Sequence, residues 1–482
     1  MIKYLLIPCL LMFGTLQAKE NKHPNFLFIF ADDMSLDTIG AMQRDVCKTP
    51  NLDKLMASGA SFNRSYNMGA WNGAVCMASR SMLNSGLFVN RAQEGINKYP
   101  HWSEIMRDNG YTTYMTGKWH VPGKPRFDVV RDARPGMPNT FPHNQPEAYN
   151  RPKSPEHYAK GWKPWDKTKG GFWEGGTHWS EVVANHGVDF IEMAKNDDKP
   201  FFMYIAFNAT HDPRQAPKEY IDMYPLDSIK IPENFLSSYP YAEPMGVPHS
   251  LRDEYLMPMP RTEYAVKVHR QEYFALATHM DEQIGRILKA LDDSGMADNT
   301  YIIFTADHGL AVGRHGLVGK QCMYDHSMQV PFFIAGPQIK AKQQFDMPIY
   351  LQDAMATTLD LAGINKPKHV QFNSVMPLIN KKRKQQYPLI YGKYTHTQRM
   401  IQDGDYKLIV YPNAQVYRLF NTAKDPFEMI DLAKNPEYAN KVKKLTKKLK
   451  KLMLDMDDTL NLDQAKNLSQ EAQKKITNPD GH

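Results

Sequence analysis

Three short apolar runs, each followed at once by polar side chains, constrain the fold of this chain most strongly. The runs are Asn25–Ala31, 201–207 and 301–305, and the residues that follow them include Asp32, Asp33, His211, Asp307 and His308. Continuous apolar runs of this length are typical of strands buried on both faces. Helical patterns at 51–58, 101–109, 178–194 and 264–294 separate or follow the runs. This alternation predicts an α/β fold with an open sheet, whose ligand groups gather at the carboxyl ends of the strands.

The sequence pattern changes after a basic linker at 381–384. A hairpin is indicated by the strand patterns at 400–402 and 406–411 around the turn Asp403-Gly404, and a further strand by 417–420. We therefore predict a signal peptide at 1–18, a catalytic domain at 19–385, a C-terminal subdomain at 386–460 and a polar tail at 461–482. The segments 121–176 and 212–261 are rich in Pro and lack a clear period, so we interpret them as walls of a substrate pocket.

The first residues are typical of a secretory signal. A positive start at Lys3 precedes an apolar stretch at 4–16 and a small residue at Ala18, and the stretch is too short to anchor the chain in a bilayer. We expect an exported protein, periplasmic or secreted, without a membrane span. Cleavage would leave Cys47, Cys76 and Cys322, an odd number for an oxidising compartment, and the sequence leaves open whether Cys47 and Cys322 pair.

The net charge of +7 is modest and partly local, because seven lysines lie between 441 and 451. Val442, Leu445, Leu449 and Leu452 recur among them at helical spacing, which predicts an amphipathic helix with a solvated basic face. Contact of that face with an anionic polymer or a membrane is the alternative. We expect no nucleic-acid partner, because no RNA-binding or DNA-binding motif accompanies the lysines.

The polar residues at two of the strand ends predict a metal site. Asp32, Asp33 and Asp307 supply carboxylates and His308 an imidazole, which is a mostly oxygen-rich ligand set suited to a divalent cation such as Ca²⁺. The imidazole leaves zinc open on ligand type alone.

Several separated motifs resemble those of one family. They are Cys76-Met77-Ala78-Ser79-Arg80, Ser85-Gly86-Leu87, Gly117-Lys118-Trp119-His120, His211-Asp212-Pro213 and 315–320, which ends in Lys320. In this order they resemble the type I, formylglycine-dependent sulfatases of the alkaline phosphatase superfamily, and the resemblance covers nearly all of 24–432. It implies an alkaline phosphatase-like central sheet flanked by helices, with a smaller C-terminal antiparallel sheet and helix. It also implies hydrolysis of sulfate esters by a formylglycine, made from Cys76 by a maturation enzyme, whose hydrate attacks the sulfur.

The resemblance assigns roles to individual residues. Arg80 would orient the formylglycine hydrate, Lys118 and Lys320 would stabilise charge on the sulfuryl group, His120 would serve the hydroxyls and His211 would protonate the leaving oxygen. One Ca²⁺ would be held by Asp32, Asp33, Cys76, Asp307 and His308. Ala78 stands where the preferred signal of the aerobic maturation enzyme has proline, so the maturation system stays open.

The substrate is less constrained by the sequence. The chain looks more like bacterial carbohydrate sulfatases than like small aryl or choline sulfatases, which favours a sulfated oligo- or polysaccharide such as a carrageenan, an ulvan or a glycosaminoglycan. His178, His315 and His326 are the candidate substrate contacts. Two alternatives stay open: a phosphatase or phosphodiesterase on the same scaffold, and an inactive relative that binds sulfated glycans.

Overall fold

The structure is a computed structural model that describes residues 23–42, 44–137, 149, 151–158 and 161–463. The predicted signal peptide and most of the predicted polar tail lie outside the described residues. Numbered along the chain, the strands are β1 (Asn25–Ala31), β2 (Ala60–Phe62), β3 (Ser65–Tyr66), β4 (Gly69–Ala70), β5 (Thr112–Lys118), β6 (Val129–Arg134), β7 (Phe201–Ala206), β8 (Thr300–Ala306), β9 (Gln329–Val330), β10 (Phe332–Ala335), β11 (Gln343–Phe345), β12 (Ile349–Tyr350), β13 (Ile390–Tyr394), β14 (Gln398–Asp403), β15 (Tyr406–Tyr411) and β16 (Val416–Asn421).

Helices of very different length connect and flank these strands. They are α1 (Pro50–Ser58), α2 (Val75–Ser85), α3 (Val89–Gly95), α4 (Trp102–Asp108), α5 (Pro155–Tyr158), α6 (Trp179–Lys195), α7 (Lys218–Asp222), α8 (Arg252–Tyr255), α9 (Glu263–Asp293), α10 (Asp325–Met328), α11 (Asp353–Leu361), α12 (Met376–Ile379) and α13 (Ala439–Asp455). The four helices predicted from periodicity are α1, α4, α6 and α9, which confirms those predictions to within one residue at each end. In the part of the chain that the structure describes, no helix combines the length and the apolar character needed to cross a membrane.

The core of the molecule is an eight-stranded sheet with the order β11-β2-β10-β8-β1-β7-β5-β6. β1 pairs in parallel with both β7 and β8, and all three strands are almost entirely buried, as their continuous apolar sequences predict. The register places Ala31 opposite Ala306. Asp32 and Asp307, the next residue of each strand, therefore leave the same edge of the sheet side by side.

Five strands of this sheet, β2, β5, β6, β10 and β11, were not predicted from the sequence. β5 pairs with β7 on one side and with β6 on the other. β6 forms one edge of the sheet and lies inside the segment 121–176, for which the sequence predicts only a pocket wall. The sequence of β6 is VVRDAR, and its residues are half-buried or exposed. A strand at an open edge carries charged side chains and loses the apolar pattern of a central strand, which is why the pattern did not reveal it.

The C-terminal sheet has the order β16-β15-β14-β13-β4, and β14 and β15 form the predicted hairpin, whose turn at Gly404-Asp405 lies one residue later than predicted. Leu445, Leu449 and Met453 of α13 are buried, which confirms the amphipathic helix. β4 comes from the N-terminal part of the chain and pairs with β13. Gly69 lies so close to the backbone of Lys393 that a Cβ there would come 1.8 Å from its carbonyl oxygen. This pairing fixes the chain at Gly69, six residues before α2 begins at Val75.

Cys47, Cys76 and Cys322 are free thiols and all three are buried. Cys47 and Cys322 therefore do not form a disulfide bond in the folded chain, a point that the sequence left open.

Candidate active site

The predicted site residues of the strand ends meet at one edge of the central sheet. Asp32 and Asp33 follow β1, Asp307 and His308 follow β8, His211 comes five residues after β7, and Lys118 ends β5. Cys76 approaches the same edge from the first turn of α2. Residues that are far apart in sequence thus converge because parallel strands place their carboxyl ends together.

Cys76 lies at the centre of this group, with 2% of its surface exposed. Its Sγ is 3.1 Å from Nε2 of His308. Burial alone would raise the pKa of the Cys76 thiol, but the charges of Lys118, Lys320 and His308 hold that pKa well below its usual value. The surroundings of Cys76 therefore stabilise negative charge on the side chain at this position.

Each of the three predicted cations pairs most closely with a different carboxylate. Nε of Arg80 donates to Oδ2 of Asp307 at 2.9 Å, and the guanidinium also donates to the carbonyl oxygen of Lys118 at 2.7 Å. Nζ of Lys118 pairs with Asp32. Nζ of Lys320 lies 3.0 Å from Oδ1 of Asp33. Arg80 is fixed on three sides, since the ring of Phe30 also lies 4.6 Å from its guanidinium carbon.

The ligand atoms of Asp32, Asp33, Cys76 and His308 lie within 4.8 Å of one another. Opposite ligands of a Ca²⁺ ion are about 5 Å apart, because each lies at about 2.3–2.6 Å from the ion. Oδ1 of Asp32 is buried and has no hydrogen-bond partner among the described residues. A buried carboxylate oxygen without a donor is costly, and a cation would satisfy it. The residues present therefore fit a divalent cation at this position.

Asp307, the fifth predicted ligand, is already engaged by the protein. Its Oδ1 accepts hydrogen bonds from the backbone N–H groups of Asp33 and His308, at 3.2 Å and 3.0 Å, and its Oδ2 accepts from Arg80. Burial and the neighbouring charge of Asp32 raise the pKa of Asp307 to about 7. Burial opposes the charged form of His308, yet Asp307, Cys76 and Asp33 raise its pKa to about 10. These pKa shifts show that the carboxylates of the site repel one another and stabilise positive charge beside them.

The two predicted proton carriers differ in their contacts and in the direction of their pKa shifts. His120 makes a side-chain hydrogen bond with Cys76, and burial together with Lys118 lowers its pKa. His211 holds its Nδ1 2.9 Å from the carbonyl oxygen of Asp212 and 3.3 Å from Oδ1 of the same residue. Burial and Lys320 oppose the protonation of His211, but Asp212 and Asp33 outweigh them and raise its pKa.

A cavity of about 620 Å³ opens over Cys76. Lys118, His120, His211 and Lys320 line it together with parts of both predicted pocket walls, which contribute Pro135, Gly136, Met137, Leu251, Arg252 and Asp253. Arg252, Asp253 and Gln321 line the same cavity and were not predicted from the sequence. Arg252 pairs with both Asp212 and Asp253, and Asp253 lies 3.7 Å from Nζ of Lys320. The four-residue helix α8 that carries Arg252 and Asp253 is too short to give a periodic signal.

The structure does not bring the three predicted substrate-binding histidines to this cavity. His178 is fully buried, its Nε2 lies 2.9 Å from the carbonyl oxygen of Gln215, and it stacks on Phe172. His315 stacks on Tyr324 and contacts the carbonyl oxygen of Phe427, and His326 contacts Sγ of Cys322. Each ring is satisfied by neighbours inside the fold, a state that a sequence pattern does not distinguish from a ligand contact.

Comparison with known families decides the classification of this site. The family model described as Sulfatase matches residues 24–364, and the model described as N-sulphoglucosamine sulphohydrolase, C-terminal, matches residues 313–455. The chain belongs to the sulfatase family. This sulfatase is a sulfuric ester hydrolase, as the motifs around Cys76 predict.

Curated relatives of the sulfatase cover most of its length. An arylsulfatase of Clostridium perfringens is 27% identical over 461 residues, which are 88% of this chain and 93% of that protein. The N-acetylglucosamine-6-O-sulfatase of Bacteroides thetaiotaomicron is 23% identical over 519 residues, covering 92% of this chain and 88% of that protein.

Solved structures confirm the predicted alkaline phosphatase-like fold of the sulfatase. A protein solved in complex with its substrate, D-glucosamine-2-N,6-O-disulfate, matches with a TM-score of 0.72 at 21% identity, over 92% of this chain and 100% of that one. The phosphonate monoester hydrolase of Agrobacterium radiobacter matches with a TM-score of 0.71 at 20% identity, over 90% and 96% of the two chains.

Proposed function

We propose that this sulfatase is an exported enzyme that removes sulfate groups from a sulfated glycan, using a formylglycine made from Cys76 and one bound Ca²⁺ ion. The observation that carries the proposal is the position of Cys76 at the floor of the cavity, with Sγ 3.1 Å from His308 and with Lys118 and Lys320 lowering its pKa. A sugar substrate is supported by the relative named N-acetylglucosamine-6-O-sulfatase and by the structure solved with a disulfated glucosamine.

A formylglycine at position 76 supplies, as its hydrate, a hydroxyl nucleophile for the sulfur of a sulfate ester. Lys118 and Lys320 line the cavity beside it and offer donors to the sulfate oxygens, where negative charge develops during transfer. Arg80 lies one turn further along α2 and is held by Asp307. Its charge interacts with residue 76 and would orient the hydrate. His120 hydrogen-bonds the side chain at position 76 and is placed to take its proton.

The carboxylates of Asp32, Asp33 and Asp307 and the imidazole of His308 would hold the Ca²⁺ ion together with residue 76. The ion would add positive charge next to the sulfate oxygens. The fit rests on the distances among four of these ligands and on the unsatisfied Oδ1 of Asp32. Oxygen atoms dominate the set, which favours Ca²⁺ over zinc.

His211 is placed to protonate the leaving oxygen of the sugar. Its Nδ1 faces the carbonyl oxygen of Asp212, so Nδ1 carries a proton and Nε2 is directed away from Asp212. His211 lines the cavity, and Asp212 and Asp33 favour its protonated form. Arg252 fixes Asp212 by an ion pair and so holds the imidazole in place.

His211→Ala is expected to lower kcat about 10²–10³-fold on a sulfated sugar, because a sugar alkoxide leaves poorly without a proton. The same variant is expected to lose much less activity on an aryl sulfate, since a phenolate is a good leaving group. The measurement is kcat for both substrates in parent and variant, with the melting temperature as a check of folding. Equal losses on the two substrates would contradict the assignment of His211 as the general acid.

A phosphoryl-transfer reaction on the same scaffold is the second candidate, and the similarity to a phosphonate monoester hydrolase is the observation that favours it. A two-metal mechanism would need a second ion near Asp33, His211 and Asp212, which also lie within 4.8 Å of one another. Arg252 already pairs with Asp212, and Lys320 pairs with Asp33. The positive charge of Arg252 beside Asp212 disfavours a second metal ion there and therefore disfavours this reaction.

The test of the proposal is a screen of sulfated oligosaccharides with the matured protein, with free sulfate measured by ion chromatography. Glycosaminoglycan, carrageenan and ulvan fragments form three arms, and a phosphonate monoester and a phosphodiester form the control arm. Sulfate release in one glycan arm supports the proposal. Turnover confined to the phosphorus esters, or glycan binding without turnover by protein whose Cys76 is converted, would overturn it.

A further inference from the structure

The positive charge of the chain is concentrated on one helix. The full sequence has a formal net charge of +7. α13 reads ANKVKKLTKKLKKLMLD and contains seven lysines and a single aspartate. The remainder of the chain is therefore close to neutral, and the charge of α13 is a local feature.

The lysines of α13 form a face that is separate from its packed face. Leu445, Leu449 and Met453 are 1%, 0% and 3% exposed against the C-terminal sheet, whereas all seven lysines are exposed. A helix that binds a bilayer inserts its apolar face between the lipids. The apolar face of α13 is already buried inside the protein. The helix therefore presents positive charge to a partner but has no apolar face left to insert into a bilayer.

Three of these lysines form a row without acidic partners. Lys448 and Lys450 pair with Asp403 and Asp463, at 2.5 Å and 2.7 Å. Lys443, Lys447 and Lys451 follow one another at four-residue spacing and have no ion-pair partner among the described residues. Their side chains are about 6 Å apart along the helix, and like charges at this spacing destabilise a helix. An anionic partner would remove that repulsion.

A groove of about 600 Å³ lies along this row. Its apolar residues are Tyr417, Ala433, Ala439 and Val442, and its cations are Lys443, Lys447 and Lys450. Tyr417 is half-buried, so part of its ring faces the groove. Aromatic rings stack on the C–H face of sugars, and lysine is a point charge that binds sulfate or phosphate groups. None of these residues lines the cavity over Cys76.

We propose that α13 and Tyr417 form an accessory surface that binds a sulfated polysaccharide chain away from the cleavage cavity. The polysaccharide class rests on the proposed function, whereas the anionic character of the ligand rests on the charges of α13. The sugar ring would lie against Tyr417 and its sulfate groups would pair with Lys443 and Lys447. Such a surface keeps a polymer near the active site and raises the effective concentration of its cleavable sulfates.

The test uses the full-length matured protein, immobilised dextran sulfate as the probe and uncharged dextran as the reference. Lys443→Glu/Lys447→Glu is expected to weaken binding to dextran sulfate about tenfold or more and to flatten its dependence on salt, because two contacts that release counterions are lost. Lys195→Glu/Lys230→Glu is the matched control, since both lysines are exposed, lie elsewhere and give the same change in net charge. It is expected to bind within about twofold of the parent. Tyr417→Ala is expected to weaken binding without changing the salt dependence.

Activity separates this inference from the proposed function. Lys443→Glu/Lys447→Glu and Tyr417→Ala are expected to leave turnover of a short sulfated oligosaccharide unchanged and to raise KM only for the polymer. Equal binding of Lys443→Glu/Lys447→Glu and the parent to dextran sulfate would overturn the inference even if sulfate release is intact. Preferential binding of the parent to vesicles of anionic phospholipid would also overturn it. Absence of sulfate release with intact, α13-dependent dextran sulfate binding would instead overturn the proposed function alone.

Discussion

Cys76→Ala is expected to abolish sulfate release, with kcat lowered about 10⁴-fold or more, as for other enzymes that lose their nucleophile. The side chain at position 76 is the group that the surrounding charges of Lys118, Lys320 and His308 are arranged to stabilise as an anion. Alanine keeps these cations but removes the atom on which they act. Removal of one buried sulfur leaves a small void that costs about 1 kcal/mol or somewhat more, so the variant is expected to fold.

Sulfate release and melting temperature of parent and variant check this prediction, and mass spectrometry identifies the group at position 76. Conversion of Cys76 to formylglycine exchanges one sulfur for one oxygen and removes two hydrogens. Cys47→Ala is the matched control, because Cys47 is also a buried free thiol, and its Sγ contacts the carbonyl oxygen of Phe274 at 4.0 Å. That variant is expected to keep its activity. An active parent that retains a plain thiol at position 76 would contradict the formylglycine mechanism.

The central strands could be predicted because their signals are local. β1 and β8 are continuous apolar runs bounded by polar residues, and the rule that ligands gather at strand ends placed Asp32, Asp33, Asp307 and His308 together. The order of the strands could not be predicted in the same way. It depends on packing between segments nearly three hundred residues apart, and only the register of Ala31 with Ala306 shows that Asp32 and Asp307 are neighbours.

The partners of the catalytic cations are long-range as well. Arg80 and Asp307 are 227 residues apart in the sequence, and Lys118 and Asp32 are 86 apart. Motif resemblance supplied the residues, and the structure shows that the nearest carboxylate is a different one for each cation. Arg252 and Asp253 escaped prediction because α8 has only four residues. The three histidines predicted as substrate contacts lie outside the cavity over Cys76, and each is packed and hydrogen-bonded inside the fold.

Removal of the divalent cation is expected to have the second-largest effect. Dialysis of the matured protein against a chelator is expected to lower kcat about 10³-fold or more, because the buried carboxylates would lose the charge that offsets them and the sulfate oxygens would lose a cation. Ca²⁺ is expected to restore activity more fully than Zn²⁺, since oxygen atoms dominate the ligand set. Metal content by inductively coupled plasma mass spectrometry and the rate after re-addition of each ion are the measurements.

Asp32→Asn and Asp212→Asn form a matched pair for this cation. Each removes one buried carboxylate charge from an ion pair, with Lys118 in the first case and Arg252 in the second, so both are expected to cost folding stability. Only Asp32 carries the unsatisfied oxygen and belongs to the group of four ligands. Asp32→Asn is therefore expected to lose most of its bound Ca²⁺, whereas Asp212→Asn is expected to keep about one ion per chain and to lose activity through a misplaced His211. Equal loss of Ca²⁺ in both variants would contradict a single ion at Asp32 and would indicate a second ion beside Asp212.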